Sequence, residues 1–404
     1  IYQVRKGVRW ALNPASEASR LVGGRDMTAD DVVFNLKRAI VTDPRAYIYL
    51  SQPEARGAVI TKTGPWEVTV KVKIDGLMSA ISRLGDSIKH HPPEVIAKYG
   101  DATSPKASVG TGPFMLTDYV PGSAGIFARN PNYWNKDPVG PGKGNQLPYL
   151  DGVKVLIIPD RSTQLAAMRT GKIDWLQSAD GEEATVFRKT TPALREVKLP
   201  AGSEGKTFMR TDLPPFNDVR VRRAMMMATD FKAILQGVFG GAGDYNNFPH
   251  FYIPAYAGLR FELDDPKMPE SVKELYIYNP EKAKQLLKEA GYPNGFKTSV
   301  LIQASSVDYY SIIKDMWAKV GIDLKLDVRD AGTHAAMGTA RSYEALSTTG
   351  GQGPTSIFYL GSSIAGESRA NGSIINDPVI NQGLAKIRRA ALTDIFEAMR
   401  MYRE

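Results

Sequence analysis

The sequence predicts a mixed α/β protein divided into two lobes. Three observations lead there. First, 404 residues exceed what one hydrophobic core serves, so two or three domains are expected. Second, the chain before Thr207 is rich in strand patterns, and after it helix and strand alternate; residues 276–330 read as helix, strand, helix, strand. Third, Thr207–Gly241 (TFMRTDLPPFNDVRVRRAMMMATDFKAILQGVFGG) reads as a connection between the two regions. A short buried strand (Phe208, Met209) meets Pro214-Pro215, which fix φ and cannot donate to a ladder. Asn217 or Asp218 then caps a helix, Asp230 breaks it, and Gly240-Gly241 stop a second one. The chain is expected to cross between lobes here, with a ligand cleft beside the crossing.

In order along the chain, residues 1–10 alternate as a strand, and residues 11–26 read as a loop from their Pro, Ser and Gly content. Thr28 caps the helix TADDVVFNLKRAI, with Asp31 at the third position and Val32, Leu36 and Ile40 as its buried stripe. Trp66–Lys73 alternates cleanly as a strand, Met78–Leu84 is a short helix, and a helix around Glu94–Tyr99 follows His90-His91-Pro92-Pro93. A glycine turn from Val109 feeds a strand, Phe114–Tyr119. Val153–Ile158 is a continuous apolar run, expected as a strand buried on both faces. Ser162 caps Thr163–Arg169, Gly171 stops it, and Ile173–Leu176 follows as a strand. Residues 179–206 read as a helix and a strand. Beyond the crossing, Asn279-Pro280 opens a helix, Thr298–Ile302 is a strand, Tyr309–Val320 an amphipathic helix, and Ile322–Val328 a strand with one wet face. Asp377-Pro378 begins a last helix.

Composition excludes several classes. No apolar run approaches the roughly 18 residues of a membrane span. The chain has no cysteine, so disulfides, thiolate catalysis and Cys-ligated zinc are out. The net charge of +8 is dispersed; Arg220-Arg222-Arg223 and Arg388-Arg389 sit on amphipathic helices as solvated faces, so no nucleic acid is expected. The four histidines, His90, His91, His250 and His334, lack the i, i+4 spacing with a Glu of a zinc helix, so no metal is expected. The Gly110–Gly112 turn lacks the Lys-Ser/Thr of a phosphate loop, and no nucleophile elbow or S-x-x-K set exists. No catalytic residue and no cofactor are therefore expected.

Several segments, in order, resemble one family. They are YQVRKGVRW with MTADDVVFNLKRA; VGTGPFMLTDY with NPNYW; LPYLDGVKVLIIPDRSTQLAAMRTGKIDWL; PPFNDVRVRRAMMMATD; and YNPEKAKQLLKEAGYPNGF with MWAKVGIDLKL. The chain so resembles the extracytoplasmic solute-binding proteins of ABC transporters, in the peptide/oligopeptide-binding family (bacterial extracellular solute-binding protein family 5). The resemblance implies a two-lobed periplasmic-binding-protein-like fold of type II, in the large cluster with an extra subdomain, here cut at both ends. Residues 1–145 would be the extra subdomain of the first lobe, 146–213 the first-lobe α/β core, and 214–404 the second lobe. It further implies a monomer on the periplasmic or extracellular side that encloses a peptide or small polar molecule by hinge closure. ABC permease subunits would be its partners, and it would meet the membrane only through them or a lipid anchor. A carboxylate-dependent hydrolase, and a sensing or chaperone role without a permease, stay open.

The family's peptide binders usually carry a second-lobe aspartate that pairs with the ligand's α-amine. The matching region here, Thr348–Tyr359 (TTGGQGPTSIFY), has no acid. A buried ammonium without a carboxylate costs several kcal/mol, which argues against a free-amine peptide and leaves a sugar, an amide-rich solute or an anion. Arg210 and Asp212 stand where relatives are uncharged and are expected as polar anchors. Tyr245, Asn246 and Phe248 are expected as an aromatic and amide wall, and Gly351, Gln352 and Tyr359 at the position of the missing acid.

Overall fold

The structure is a computed structural model that describes residues 1–44, 46–85, 87–197, 206–241, 262–349, 366, 368 and 371–403. It forms two compact units, Ile1–Leu176 and Gln177–Glu404. The boundary expected at 145/146 falls inside the first unit, and that at 213/214 inside the second.

In the first unit, β1 (Tyr2–Gln3), β2 (Val59–Gly64) and β3 (Glu67–Lys71) make an antiparallel sheet in the order β1-β3-β2. The helices are α1 (Glu17–Val22), α2 (Ala29–Lys37), α3 (Tyr47–Ser51), α4 (Ile74–Arg83) and α5 (Pro93–Tyr99). The stripe read for α2 is buried: Leu36 and Ile40 pack with Val32, Trp10, Ile60 and Val68 in one core. The helix starts where its capping chemistry puts it, with the Thr28 N–H donating to Asp31 Oδ2 at 2.8 Å. The expected loop 11–26 is corrected, since α1 forms inside it. Ser16 Oγ accepts from the Ser19 N–H, and Gly23 (φ 65°) closes the helix in the left-handed region.

The loop arginine Arg25 ties α2 to α5. Its guanidinium donates to both oxygens of Asp31 (2.7 and 2.8 Å) and both of Glu94 (2.8 Å each). The Asp31 side chain is only 3% exposed, and Arg25 and Glu94 are 37% and 29% exposed.

A second sheet of the first unit runs β4 (Phe114–Val120), β5 (Ala124–Arg129) and β6 (Gly152–Leu156), all antiparallel. Here the expectation of a strand buried on both faces fails. β6 pairs on one side only, and Val155 is 51% exposed. An apolar run shows that a segment can be buried, not that a layer covers it. Helix α6 (Arg161–Arg169) is capped by Asp160, whose carboxylate accepts from the Thr163 N–H at 2.7 Å, rather than by Ser162. Ile173–Leu176 is not a strand; it joins no ladder, and Trp175 is largely exposed.

The second unit opens with α7 (Gly181–Thr190) and centres on a four-stranded sheet. Its strands are β7 (Lys206–Met209), β8 (Phe296–Gln303), β9 (Ile322–Arg329) and β10 (Leu346–Thr349), in the order β7-β10-β8-β9. β8 and β9 are parallel, joined by the helix Val307–Ala318; β10 is parallel to β8 and antiparallel to β7. The helices are α8 (Val219–Met227), α9 (Phe231–Phe239), α10 (Glu270–Lys273), α11 (Pro280–Glu289), α12 (Val307–Ala318) and α13 (Ala331–Ala340), followed by Pro378–Ala390 and Ile395–Arg403. The Thr207–Gly241 elements form as read, with Asp218 capping α8, Asp230 capping α9 and Gly240 in the left-handed region. Val221, Met225, Leu287, Val300, Ile302, Trp317, Ile322 and Leu324 make the core. The buried Trp317 Nε1–H donates to Thr229 Oγ1 at 2.9 Å, so the indole enters without a lost hydrogen bond. Glycine is required where the turns into β8 and β9 meet. Gly295 has φ 75°, and a Cβ there would lie 1.9 Å from the Gly321 carbonyl oxygen. No helix among the described residues is long and apolar enough to cross a membrane.

Burial raises the Asp31 carboxyl, but bonds from Arg25 and Thr28 outweigh it and hold it below its ordinary 3.8; Arg25 holds Glu94 below 4.5. Both folded values are depressed. Their stabilisation is therefore present above the unfolded carboxylate range and lost as pH falls through the folded values. Arg25→Met strands a buried carboxylate and is expected to cost about 2 kcal/mol at pH 7, discounted for the exposure of Arg25. Urea unfolding at pH 7 and pH 3 checks this: the gap between wild type and variant should shrink at pH 3, and a gap independent of pH would contradict it.

Candidate ligand-binding site

The chain leaves β7 at Met209 and is immediately tied from two sides. The Arg210 N–H donates to the Ala345 carbonyl at 2.9 Å, continuing the β7–β10 pairing. The Met209 N–H donates to Ser373 Oγ at 3.2 Å, and Thr211 Oγ1 donates to the Ser373 carbonyl at 2.6 Å. The segment around Ser373 lies close against β7; a Cβ on Gly372 would sit 2.6 Å from the Phe208 ring. Tyr343, 3% exposed, donates its hydroxyl proton to the Gly372 carbonyl.

Arg210 and Asp212 stand on this fixed backbone and face each other. Arg210 Nε donates to Asp212 Oδ1 at 2.8 Å and Nη2 to Oδ2 at 2.7 Å, a two-pronged pair; Nη1 reaches the Tyr343 carbonyl at 3.3 Å. Their side chains are 20% and 33% exposed, so the pair is half-buried. The Asp212 carboxyl is held below its usual range by the Arg210 hydrogen bonds, against a smaller push from burial, with Arg341 adding positive potential. The two residues expected as polar anchors thus form one neutral, hydrogen-bonded unit. Of the other expected site residues, Tyr245, Asn246, Phe248, Gly351, Gln352 and Tyr359 lie outside the described residues.

The structure adds a polar group that no motif marked. His334, on α13 and 5% exposed, lies with Nδ1 3.3 Å from Gln303 Nε2 and Nε2 3.0 Å from Thr348 Oγ1. Thr348 Oγ1 donates its single proton to the Leu301 carbonyl at 3.2 Å. The hydroxyl must therefore accept from His334 Nε2–H, and Nδ1 accepts from the Gln303 amide. Gln303 ends β8, and Thr348 lies in the last turn of the pleat of β10. The group thus sits at the carboxyl ends of two parallel strands, the edge at which open α/β sheets receive ligands. The only sequence signal for it was a histidine four residues after the Asp330 helix cap, and no periodicity joins it to 303 or 348.

The amide–imidazole group lies at the carboxyl ends of β8 and β10, and the Arg210–Asp212 pair beside the start of β10, where Arg210 pairs with Ala345. The chain aligns with two-lobed periplasmic binding proteins. Over 99% of this chain and 76% of the other, it matches the ABC transporter-associated periplasmic binding protein DppA from Helicobacter pylori, solved with the peptide STSA, at a TM-score of 0.80 and 23% identity. Residues 3–369 match the family of bacterial extracellular solute-binding proteins, family 5 (middle), and the chain belongs to that family. Heme-binding protein A of Haemophilus influenzae is 29% identical over 343 residues, 80% of this chain and 57% of that protein. The dipeptide-binding protein of Escherichia coli is 24% identical over 409 residues, 92% of this chain and 69% of that protein. The chain thus spans less than two thirds of the first of these relatives.

Arg210→Met removes both hydrogen bonds to Asp212. The Asp212 titration should move up toward the ordinary carboxylate range while Arg341 still holds it partly down. Carboxyl-carbon NMR across pH 2–6 reads this directly, and an unmoved titration would show that Arg210 does not govern the charge.

Proposed function

We propose that the chain is the solute-recognising part of a transport receptor. It encloses a peptide or other small polar solute between its lobes and delivers it to an ABC transporter permease. The observation that carries this is the family match over residues 3–369. On this reading the protein works as a monomer at the periplasmic or outer face of the membrane, attached through its permease or a lipid anchor, and performs no chemistry. The crossing expected within Thr207–Gly241 is not part of this reading, because β7, α8 and α9 all belong to the second unit.

The site of this proposal comprises Arg210 and Asp212, the wall Tyr245, Asn246 and Phe248, and Gly351, Gln352 and Tyr359. The pairing of Asp212 with Arg210 bears on specificity. A ligand ammonium would have to compete with a two-pronged guanidinium for the carboxylate. Thr348–Tyr359 supplies no other acid. These two facts favour a neutral or anionic solute over a free-amine peptide.

Native mass spectrometry of protein purified from its host tests the receptor role: an unchanged bound solute is expected, whereas a hydrolysis product would move the assignment to the enzyme alternative. Calorimetry with that solute then tests the site. Asp212→Ala combined with Tyr245→Ala should weaken binding at least about tenfold, or ~1.4 kcal/mol; equal affinity in the folded variant would remove both residues from the site.

A further inference from the structure

The first unit contains a pocket of about 240 Å³ that the transport reading does not use. It is smaller than the roughly 300–1,000 Å³ of drug-sized sites. Asn35, Arg38, Asp43, Ser87, Lys89 and His91 supply its polar lining. Arg38 and Ala39 of its lining belong to the turn Arg38–Thr42, where α2 widens into a π-helical turn. Such widened turns cluster at functional positions.

The lining is built and basic. Asn35, 2% exposed, grips the His91 backbone from both sides: its Oδ1 accepts from the His91 N–H and its Nδ2 donates to the His91 carbonyl, each at 2.9 Å. The His91 backbone is thereby set in place, and its ring Nδ1 is buried without a hydrogen-bond partner. Neither Arg38 nor Lys89 makes an ion pair among the described residues. Asp43, the one acid in the lining, has an interaction of its own. Burial, and then the charge of Arg38, push the His91 imidazolium below its ordinary range, so the ring already feels positive potential. Arg38, Lys89 and His91 thus line one small pocket in which Asp43 is the acid among the described lining residues, a composition suited to a compact anion.

We propose that this pocket is a binding site for a small dianionic oxyanion, of the size of inorganic phosphate or a short dicarboxylate, held by Arg38, Lys89 and His91. Arg38 gives a planar fork suited to two oxygens, Lys89 a point charge at the mouth, and His91 a ring proton. Bound charge would also bridge the π-helical turn to the 87–91 segment and stiffen both.

The test uses the whole chain with histidine rings isotopically labelled; four histidines make the spectrum simple, and His91→Asn assigns the signal. Inorganic phosphate and malonate are titrated separately at constant pH and ionic strength, with acetate as the monoanion control. Saturable movement of the His91 resonances by phosphate or malonate, and not by acetate, is expected, and whichever saturates names the geometry. In the Arg38→Gln/Lys89→Gln variant the apparent Kd should rise at least about tenfold, the ~1.4 kcal/mol of one decade in Kd, while Lys71→Gln on β3 leaves it unchanged. The wild-type titration decides alone if the double variant does not fold. Linear, unsaturable shifts in the wild type, or full binding retained by the folded double variant, would overturn the proposal.

Discussion

Strand β10 enters the second sheet between β7 and β8, and the candidate ligand site depends on that insertion. Leu346 is 1% exposed and faces Met209 on one side and Val300 on the other. The antiparallel half of this pairing carries the Arg210 N–H to Ala345 and brings Arg210 to the Tyr343 carbonyl. The parallel half brings Thr348 beside Leu301, from which the His334 and Gln303 bonds follow. Parallel pairing requires a crossover, and α12 supplies one between β8 and β9. β10 thus holds Arg210 beside its start and the His334–Gln303–Thr348 group at its carboxyl end, joining segments far apart in the chain.

Each unit has its own apolar core, and they differ in what surrounds it. In the second, continuous apolar strands such as Val300–Ile302 are covered by α8, α11 and α12. In the first, small helices pack around a modest sheet, and Arg25 ties the start of α2 to α5 through two carboxylates. That arrangement keeps a nearly buried Asp31 charged, which is tolerable only while the guanidinium stays. The second sheet of the first unit has the opposite character, with apolar residues of β6 left exposed along an edge.

At the candidate site, charge neutralisation is the informative feature. A carboxylate whose two oxygens are both occupied by one arginine is a weak bait for an ammonium, and the sequence Thr348–Tyr359 contains nothing acidic. The surrounding hydrogen bonds to Ser373, Gly372 and Ala345 orient this pair before any ligand arrives, which lowers the ordering cost of binding.

The sequence by itself determined the elements whose information is local. The Thr28–Asp31 cap and the Val32, Leu36, Ile40 stripe of α2, the Asn279-Pro280 opening of α11, and the alternation of Ile322 and Leu324 with Asp323 and Lys325 all lie within one turn or one pleat. The family's ordered motifs carried the fold class further. What only the tertiary structure decided is everything that needs a partner from elsewhere in the chain. β10 is four residues, LSTT, with no pattern of its own. Arg25 sits in what reads as a loop. Val153–Ile158 looks like an interior strand but lies at an edge. Arg210 and Asp212 were visible as charges, but that they satisfy each other follows from the backbone that Ala345 and Ser373 hold in place. Periodicity encodes which face of an element is apolar; it does not encode which other element covers that face, and the site is made of such long-range choices.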